Sequence, residues 1–376
     1  MGPRVTALSI HADYRCRHSG HCCSTDWDVA VEVPVYRRLD EALRAGTLRV
    51  SPEAAGLEPF ILGPDLPADT TAIFQRTDDG RCVFFERGPN LCIVHRDLGE
   101  TALAATCKHF PRLSIDDARG TSVALSHFCP TAAGMLFRDD VPVEIVEAPP
   151  AFPAGDYDGL RVGADDLPPL LTPTMLMDAE GYEAWERHMV ARCAQTHLAP
   201  ESVLATLARD AGLLRRWTPG GIALSSAVGH LPADVVPGES PEVLDASLAL
   251  HAEVLGAVPE EWRPMADTDG LREAYDRFVR PRWSDFSPPL NRYLAAKAFA
   301  TWTAYQGQGV ATIVRGIEAA LALVRVEASR KCRDQGQGLD AALLLEAFRE
   351  ADFVLNHLAV GEDLALGWSV VERHQP

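Results

Sequence analysis

Residues 14–23 read Tyr14-Arg15-Cys16-Arg17-His18-Ser19-Gly20-His21-Cys22-Cys23. Thiols and imidazoles are mixed here with small and polar residues, a composition from which a backbone can fold around an ion. Thiolates are soft anionic ligands, suited to zinc and to iron–sulfur clusters. Working outward from this block, the same residue types recur. Cys82 comes next, then Cys92-Ile93-Val94-His95, where positions three apart on a turn can direct a thiolate and an imidazole to one centre. Cys107-Lys108-His109 runs into Phe110-Pro111-Arg112, and Cys129-Pro130 follows. Seven of the nine cysteines lie between positions 16 and 129, leaving only Cys193 and Cys332 beyond.

A lone buried cysteine is normally a small hydrophobe. Seven of them flanked by His, Gly and Pro are not accounted for that way. Residues 1–16 show no apolar core of signal-peptide length, so a cytoplasmic setting with reduced thiols is expected. An odd, front-loaded set then fits metal binding better than a disulfide framework. The expected ligands are Cys16, Cys22, Cys23, Cys82, Cys92, Cys107 and Cys129 with His95, undivided between one site and two. Cys193 and Cys332 read as ordinary buried or free thiols. Cys22 and Cys23 are adjacent, so their side chains are expected to diverge; both would reach one small ion only with strain, a limit that a larger cluster relaxes. A four-iron cluster and a structural zinc each need four ligands.

The ordered set Cys16…Cys22-Cys23…Trp27, Cys82…Cys92…His95…Leu98-Gly99-Glu100, Cys107…Phe110-Pro111-Arg112 and Cys129-Pro130 with Ala132-Ala133 resembles the cysteine-cluster family described as zinc- or iron-chelating (YkgJ-like). Within it the pattern is most similar to the flagellin lysine-N-methylase branch. The likeness covers roughly the first 140 residues, and a weaker one continues at Asn291-Arg292-Tyr293-Leu294. Ser19 and its neighbours stand in the stretch where the family's opening carries a further cysteine. The resemblance implies an iron–sulfur cluster, of the 4Fe-4S type, and S-adenosylmethionine as methyl donor, with zinc as the alternative metal. It also implies a protein substrate, flagellin being the candidate, and methyl transfer to a lysine. That lysine must lose its proton before it can attack, because an ammonium has no lone pair. The alternative is a non-catalytic zinc- or iron-binding module. The sequence contains neither a glycine-rich dinucleotide loop after a strand nor a compact C-x3-C-x2-C motif, and it singles out no catalytic or cofactor-binding residue. Asp97 and Glu100 read either as polar partners of the ligand block or as charges favoured at a helix N-terminus.

The expected fold class is α+β: a small mixed α/β cysteine-rich metal-binding domain over 1–148, a Pro-rich linker over 149–173 and a mainly α-helical domain over 174–376. Trp27, Val29, Val31 and Val33 alternate with polar or small residues and predict a strand. Pro34 opens a helix through Leu39 and Leu43 that Gly46 ends. Runs 72–76 and 81–86 around Asp78-Asp79-Gly80 predict a hairpin. Gly88-Pro89-Asn90 makes the next turn, into 91–95. Glu100, Leu103 and Cys107 share one face of a helix expected over 98–108, stopped by Pro111. A strand is expected over 122–128. Residues 149–173 contain six prolines. Beyond them, helices are predicted over 183–193, 200–216, 241–255 and 339–358. Val310, Ile313, Val314, Ile317, Leu321 and Val324 recur at helical spacing.

The 376 residues carry 35 Lys+Arg against 53 Asp+Glu, a formal charge of −18, with 47% apolar residues. That apolar content is ordinary for a folded protein and argues against general disorder. The acidic excess argues against non-specific nucleic-acid binding, which relies on cations neutralising phosphates. No membrane partner is expected: the most apolar stretch, 311–326, carries Arg315, Glu318 and Arg325.

Overall fold

A computed structural model of the chain describes residues 4–25, 27–63, 66, 69–153, 155, 157, 159–163, 166–238, 243–265 and 267–372, with backbone alone for 369–372. It is a mixed α/β protein, mostly helix, with several small sheets. The chain forms two units. One comprises Arg15–Arg112 with Cys129–Thr131; the other takes the residues up to Tyr14, Leu113–Phe128 and everything from Ala132 onward. The units are therefore interleaved along the sequence rather than consecutive. The cause is strand pairing: Val5–Leu8 lies between Gly120–Leu125, parallel to it, and Ile145–Glu147, antiparallel to it. The first strand of the chain thus belongs with residues more than a hundred positions away.

In the unit built on Arg15–Arg112, Val29 and Val31 are buried and Ala30–Glu32 forms the predicted strand. It pairs with Thr70–Phe74, whose other edge takes Phe60–Ile61. Val33–Arg44 is the helix opened by Pro34, and Gly46 follows it at φ 71°. Leu39, Leu48, Phe74, Val83, Phe84 and Ile93 make the core, with Phe74 and Phe84 edge to face at 5.5 Å.

Two expectations need correction here. The 81–86 run turns back on the 72–76 run over a short stretch, with Cys82 opposite Arg76 and the N–H groups of Thr77 and Val83 donating to the carbonyls of Arg81 and Gln75, but Phe85–Glu86 pairs with Leu91–Cys92 across the turn ending at Asn90. The helix expected over 98–108 is broken into Ile93–Leu98, a 3-10 turn Glu100–Ala102 and Ala105–His109. Gly99 at φ 81° and extended backbone at Leu103 and Ala104 interrupt it. The break is stabilised from outside. Arg38 donates to the carbonyls of Leu98 and Thr101, and Glu32 Oε1 accepts from the N–H of Ala105 at 3.1 Å.

The other unit holds a five-stranded sheet in the order Leu160–Arg161, Arg112–Asp117, Gly120–Leu125, Val5–Leu8, Ile145–Glu147. Its helices Pro200–Leu214, Val243–Gly256, Ser287–Ala298 and Ala341–Phe353 pack on Val310–Gln335, and Ala179–Cys193 packs on Ser287–Ala298 and Leu224–Gly229. Ile313, Ile317, Leu321 and Val324 on that long helix are buried, as their spacing requires. Among the described residues no helix is long and apolar enough to cross a membrane. The Pro-rich stretch contributes structure of its own: Phe152 is fully buried, and Leu170–Thr172 pairs with Met175–Leu176.

Candidate metal centre

All the expected ligands fall in one unit, because Cys129 groups with Arg15–Arg112. The loop that carries the first three thiols is tied down along its length. Asn90 Nδ2 donates to the His18 carbonyl at 2.9 Å, the Cys82 N–H donates to the Cys23 carbonyl at 2.8 Å, and Arg76 reaches the carbonyls of Thr25 and Trp27. Trp27 Nε1 donates to the Cys22 carbonyl, and its ring meets Phe110 edge on at 5.3 Å. The residues around the cysteines thus act as struts for the thiol-bearing backbone.

The thiols converge. Cys22 and Cys23 lie on the single helical turn His21–Ser24, and their Sγ atoms are 3.8 Å apart. The expected divergence of this pair is overturned, since on a tight turn the choice of rotamer can bring neighbouring sulfurs together. Cys23 also hydrogen-bonds to Cys92, at the end of Leu91–Cys92. Cys82 and Cys107 lie within electrostatic reach of Cys92 and Cys22, and Cys16 within reach of Cys22, Cys129 and Arg112. Two short helices, a strand, an isolated bridge and loop segments therefore deliver sulfur to one neighbourhood. His95 contributes its backbone N–H to Cys92, and its ring lies 5.8 Å from that of His18.

These thiols do not share one acidity. The hydrogen bond from Cys23, aided by the N–H groups of His95 and Val94, outweighs burial and holds Cys92 at about 7. Cys22 is lowered by the same Cys23 thiol, whereas Cys23, the donor to both, is pushed well up. Burial raises Cys82 to about 12 and lifts Cys107 well above the ordinary thiol range. Thiolate forms most readily at Cys22 and Cys92, where hydrogen bonds receive it.

With these rotamers, no group of three or more His, Cys, Asp or Glu among the described residues is disposed to hold a metal ion. The sulfurs instead donate S–H bonds to one another. The donor chemistry nonetheless fits a thiophilic centre. The sulfur separation of 3.8 Å at Cys22–Cys23 is close to the edge, about 3.8 Å, of a tetrahedron with metal–sulfur bonds of about 2.3 Å. Backbone N–H groups also point at Cys16, Cys82 and Cys92, the kind of hydrogen bond that tunes cluster thiolates. Cys193 and Cys332 are fully buried in the other unit, their thiols raised by burial, and stand apart from this group as expected.

One polar constellation escaped the sequence. In the helix-rich unit Asp352, wholly buried, accepts from Tyr293 Oη at 2.7 Å, from Lys297 Nζ at 2.6 Å and from the N–H of His127 at 2.6 Å. Nε2 of His127 lies 3.3 Å from Nε2 of His11. Burial opposes ionisation of Asp352, but Lys297 and His127 hold its carboxyl well below the usual range. The Asn291–Leu294 segment enters this picture through Tyr293, while Asn291 Nδ2 binds the carbonyls of Gln195 and Leu198.

No family model matches this chain, and neither any curated protein nor any solved structure does.

Proposed function

We propose that the unit built on Arg15–Arg112 holds an iron–sulfur centre through its clustered cysteines, and that the protein transfers a methyl group from S-adenosylmethionine to a lysine of a protein substrate, with flagellin as the candidate. The observation that carries the metal part is the convergence of Cys22, Cys23 and Cys92, with Cys82 and Cys107 in reach. The methyl-transfer part rests on the ordered cysteine, histidine and Phe-Pro-Arg pattern. Cys16, Cys22, Cys23, Cys82, Cys92, Cys107 and Cys129 are the residues that would hold the centre, with His95 beside them. A bound cluster with an iron not claimed by protein would supply a docking point for the amino and carboxylate groups of the methyl donor. The chain's own part is to present thiolates and to stabilise them with the N–H groups of Val94 and His95. None of the nine cysteines is in a disulfide, in keeping with a reducing, cytoplasmic setting.

A second reading, a non-catalytic zinc-binding module, is favoured by the Cys22–Cys23 separation alone. Anaerobic purification followed by absorbance, iron, zinc and acid-labile sulfide analysis decides between them. Brown protein with iron and sulfide is the expected result; colourless protein with zinc alone rejects the cluster. Cluster-loaded protein incubated with labelled methyl donor and flagellin should then label lysines. If no lysine-bearing protein of a cell extract is labelled, the enzyme reading fails while the metal centre stands.

A further inference from the structure

A second candidate site lies wholly within the helix-rich unit. The helix Ala179–Cys193 places Arg187, His188, Ala191 and Arg192 on one face, the i, i+1, i+4, i+5 spacing that groups side chains on two adjoining turns. Opposite stands the short helix Leu224–Gly229 with Ser225 and Val228, followed by Leu231. Between them is a shallow groove, open to solvent, of about 500 Å³.

The charge of this groove runs against that of the chain. The formal charge of the protein is −18, yet every charged or titratable group lining the groove is basic: Arg187, His188 and Arg192. They are fixed from behind. Asp210, fully buried, accepts from His188 Nε2 at 2.8 Å, from Arg192 at 3.1 Å and from Arg209 at 2.8 Å. Trp185 stacks on the His188 ring at 5.6 Å and 19°. Arg192 completes its bonds on the carbonyls of Ala233 and Pro232. One carboxylate thus serves two guanidiniums and an imidazole, and Arg187 shares Glu183, its partner among the described residues, with Arg4. Held by these bonds, His188 and Arg192 give the groove a basic wall, and the exposed Arg187 guanidinium is the group on it free to meet an anion.

We propose that this groove binds a small organic oxyanion, a carboxylate or phosphate ester, with its anionic end at Arg187, beside His188, and its apolar end along Ala191, Val228 and Leu231. The site is independent of the cysteine cluster and of the activity proposed for it. The test is calorimetric titration of the full-length protein at constant ionic strength with phenyl phosphate, benzoate and inorganic phosphate. Saturable binding of phenyl phosphate or benzoate is expected, and the preferred head group tells phosphate ester from carboxylate. Arg187→Gln, at an exposed position, should weaken it about tenfold, the scale of one charge-assisted hydrogen bond. Ala191→Glu, also exposed, places a carboxylate on the groove wall and should abolish binding, while Arg216→Gln, outside the groove, should leave it unchanged. The proposal is overturned if neither organic probe saturates at millimolar concentrations. It is equally overturned if binding survives both groove variants or falls as far in Arg216→Gln.

Discussion

Cys92 is the thiol best prepared to ionise, because Cys23, His95 and Val94 all donate to its sulfur. In metal-stripped protein its alkylation rate should therefore rise with pH through a midpoint of about 7, while Cys82, held at about 12 by burial, stays unreactive at pH 8. Mass spectrometry after timed iodoacetamide treatment reads both; equal labelling of the two at pH 8 would contradict the assignment. Cys92→Ser and Cys107→Ser should each strip the metal, and Cys332→Ser should not; equal loss in all three would erase the distinction between ligands and bystanders. Asp352→Ala belongs to another class of effect. It leaves Lys297 poorly partnered at a nearly buried position and should cost about 3–5 kcal/mol in a denaturant titration, the usual price of orphaning a buried ion. The cysteines were legible because their neighbours in sequence (Gly, His, Pro) carry the signal with them. The Asp352 group was not, since His11, His127, the pair Tyr293 and Lys297 on one helix, and Asp352 come from four distant places and each alone looks like an ordinary core or surface residue.

The turn His21–Ser24 shows how much a short segment can depend on one backbone angle. Gly20, at φ 75°, precedes it, and a Cβ there would lie 2.4 Å from Asn90 Oδ1 and 2.7 Å from the Phe85 ring. Gly20→Ala should lower bound metal per chain, because Cys22 and Cys23 follow directly. Gly336→Ala, at φ 64° with open space around it, should cost only the left-handed conformational term, about 1–2 kcal/mol, and leave metal content untouched. Metal analysis beside thermal midpoints separates the two; retained metal in Gly20→Ala would show that this turn does not set the ligand geometry. The same contrast explains which segments could be read in advance. Val310–Gln335 follows its apolar period because it is buried along most of its length. The 98–108 segment has a consistent helical face at Glu100, Leu103 and Cys107, yet Gly99 breaks it, and Glu32 and Arg38 stabilise the break from elsewhere in the chain. No local pattern reports those two partners.

Buried histidines set the response of the folded chain to acid. Burial lowers His251 and His357 to about 4 and also holds His11 well below its ordinary value, with His127 and Lys297 adding to the effect at His11. In the unfolded chain each takes up its proton near pH 6.5, before the folded form can. The stability they contribute is therefore complete above pH 6.5 and drains away as the pH falls toward 4, on the order of 3 kcal/mol for His251 alone. Denaturant midpoints measured from pH 7.5 to 4.5 should fall steadily, and His251→Gln should flatten the slope. An unchanged slope would mean that the imidazole titrates normally in the folded state.

The pairing of Val5–Leu8 with residues 121–122 and 145–147 also has a kinetic side. As the ribosome extends the chain, this strand emerges before its partners and must stay unmatched until they are made. By then the apolar core assembled from Val29 to Ala104 is already in hand. Most of the unit built on Arg15–Arg112 is thus made before the strands that pair with Val5–Leu8, and a fragment ending at Arg112 should already resist protease around its core residues Val29, Phe74 and Phe84 while residues 4–14 remain open to cleavage.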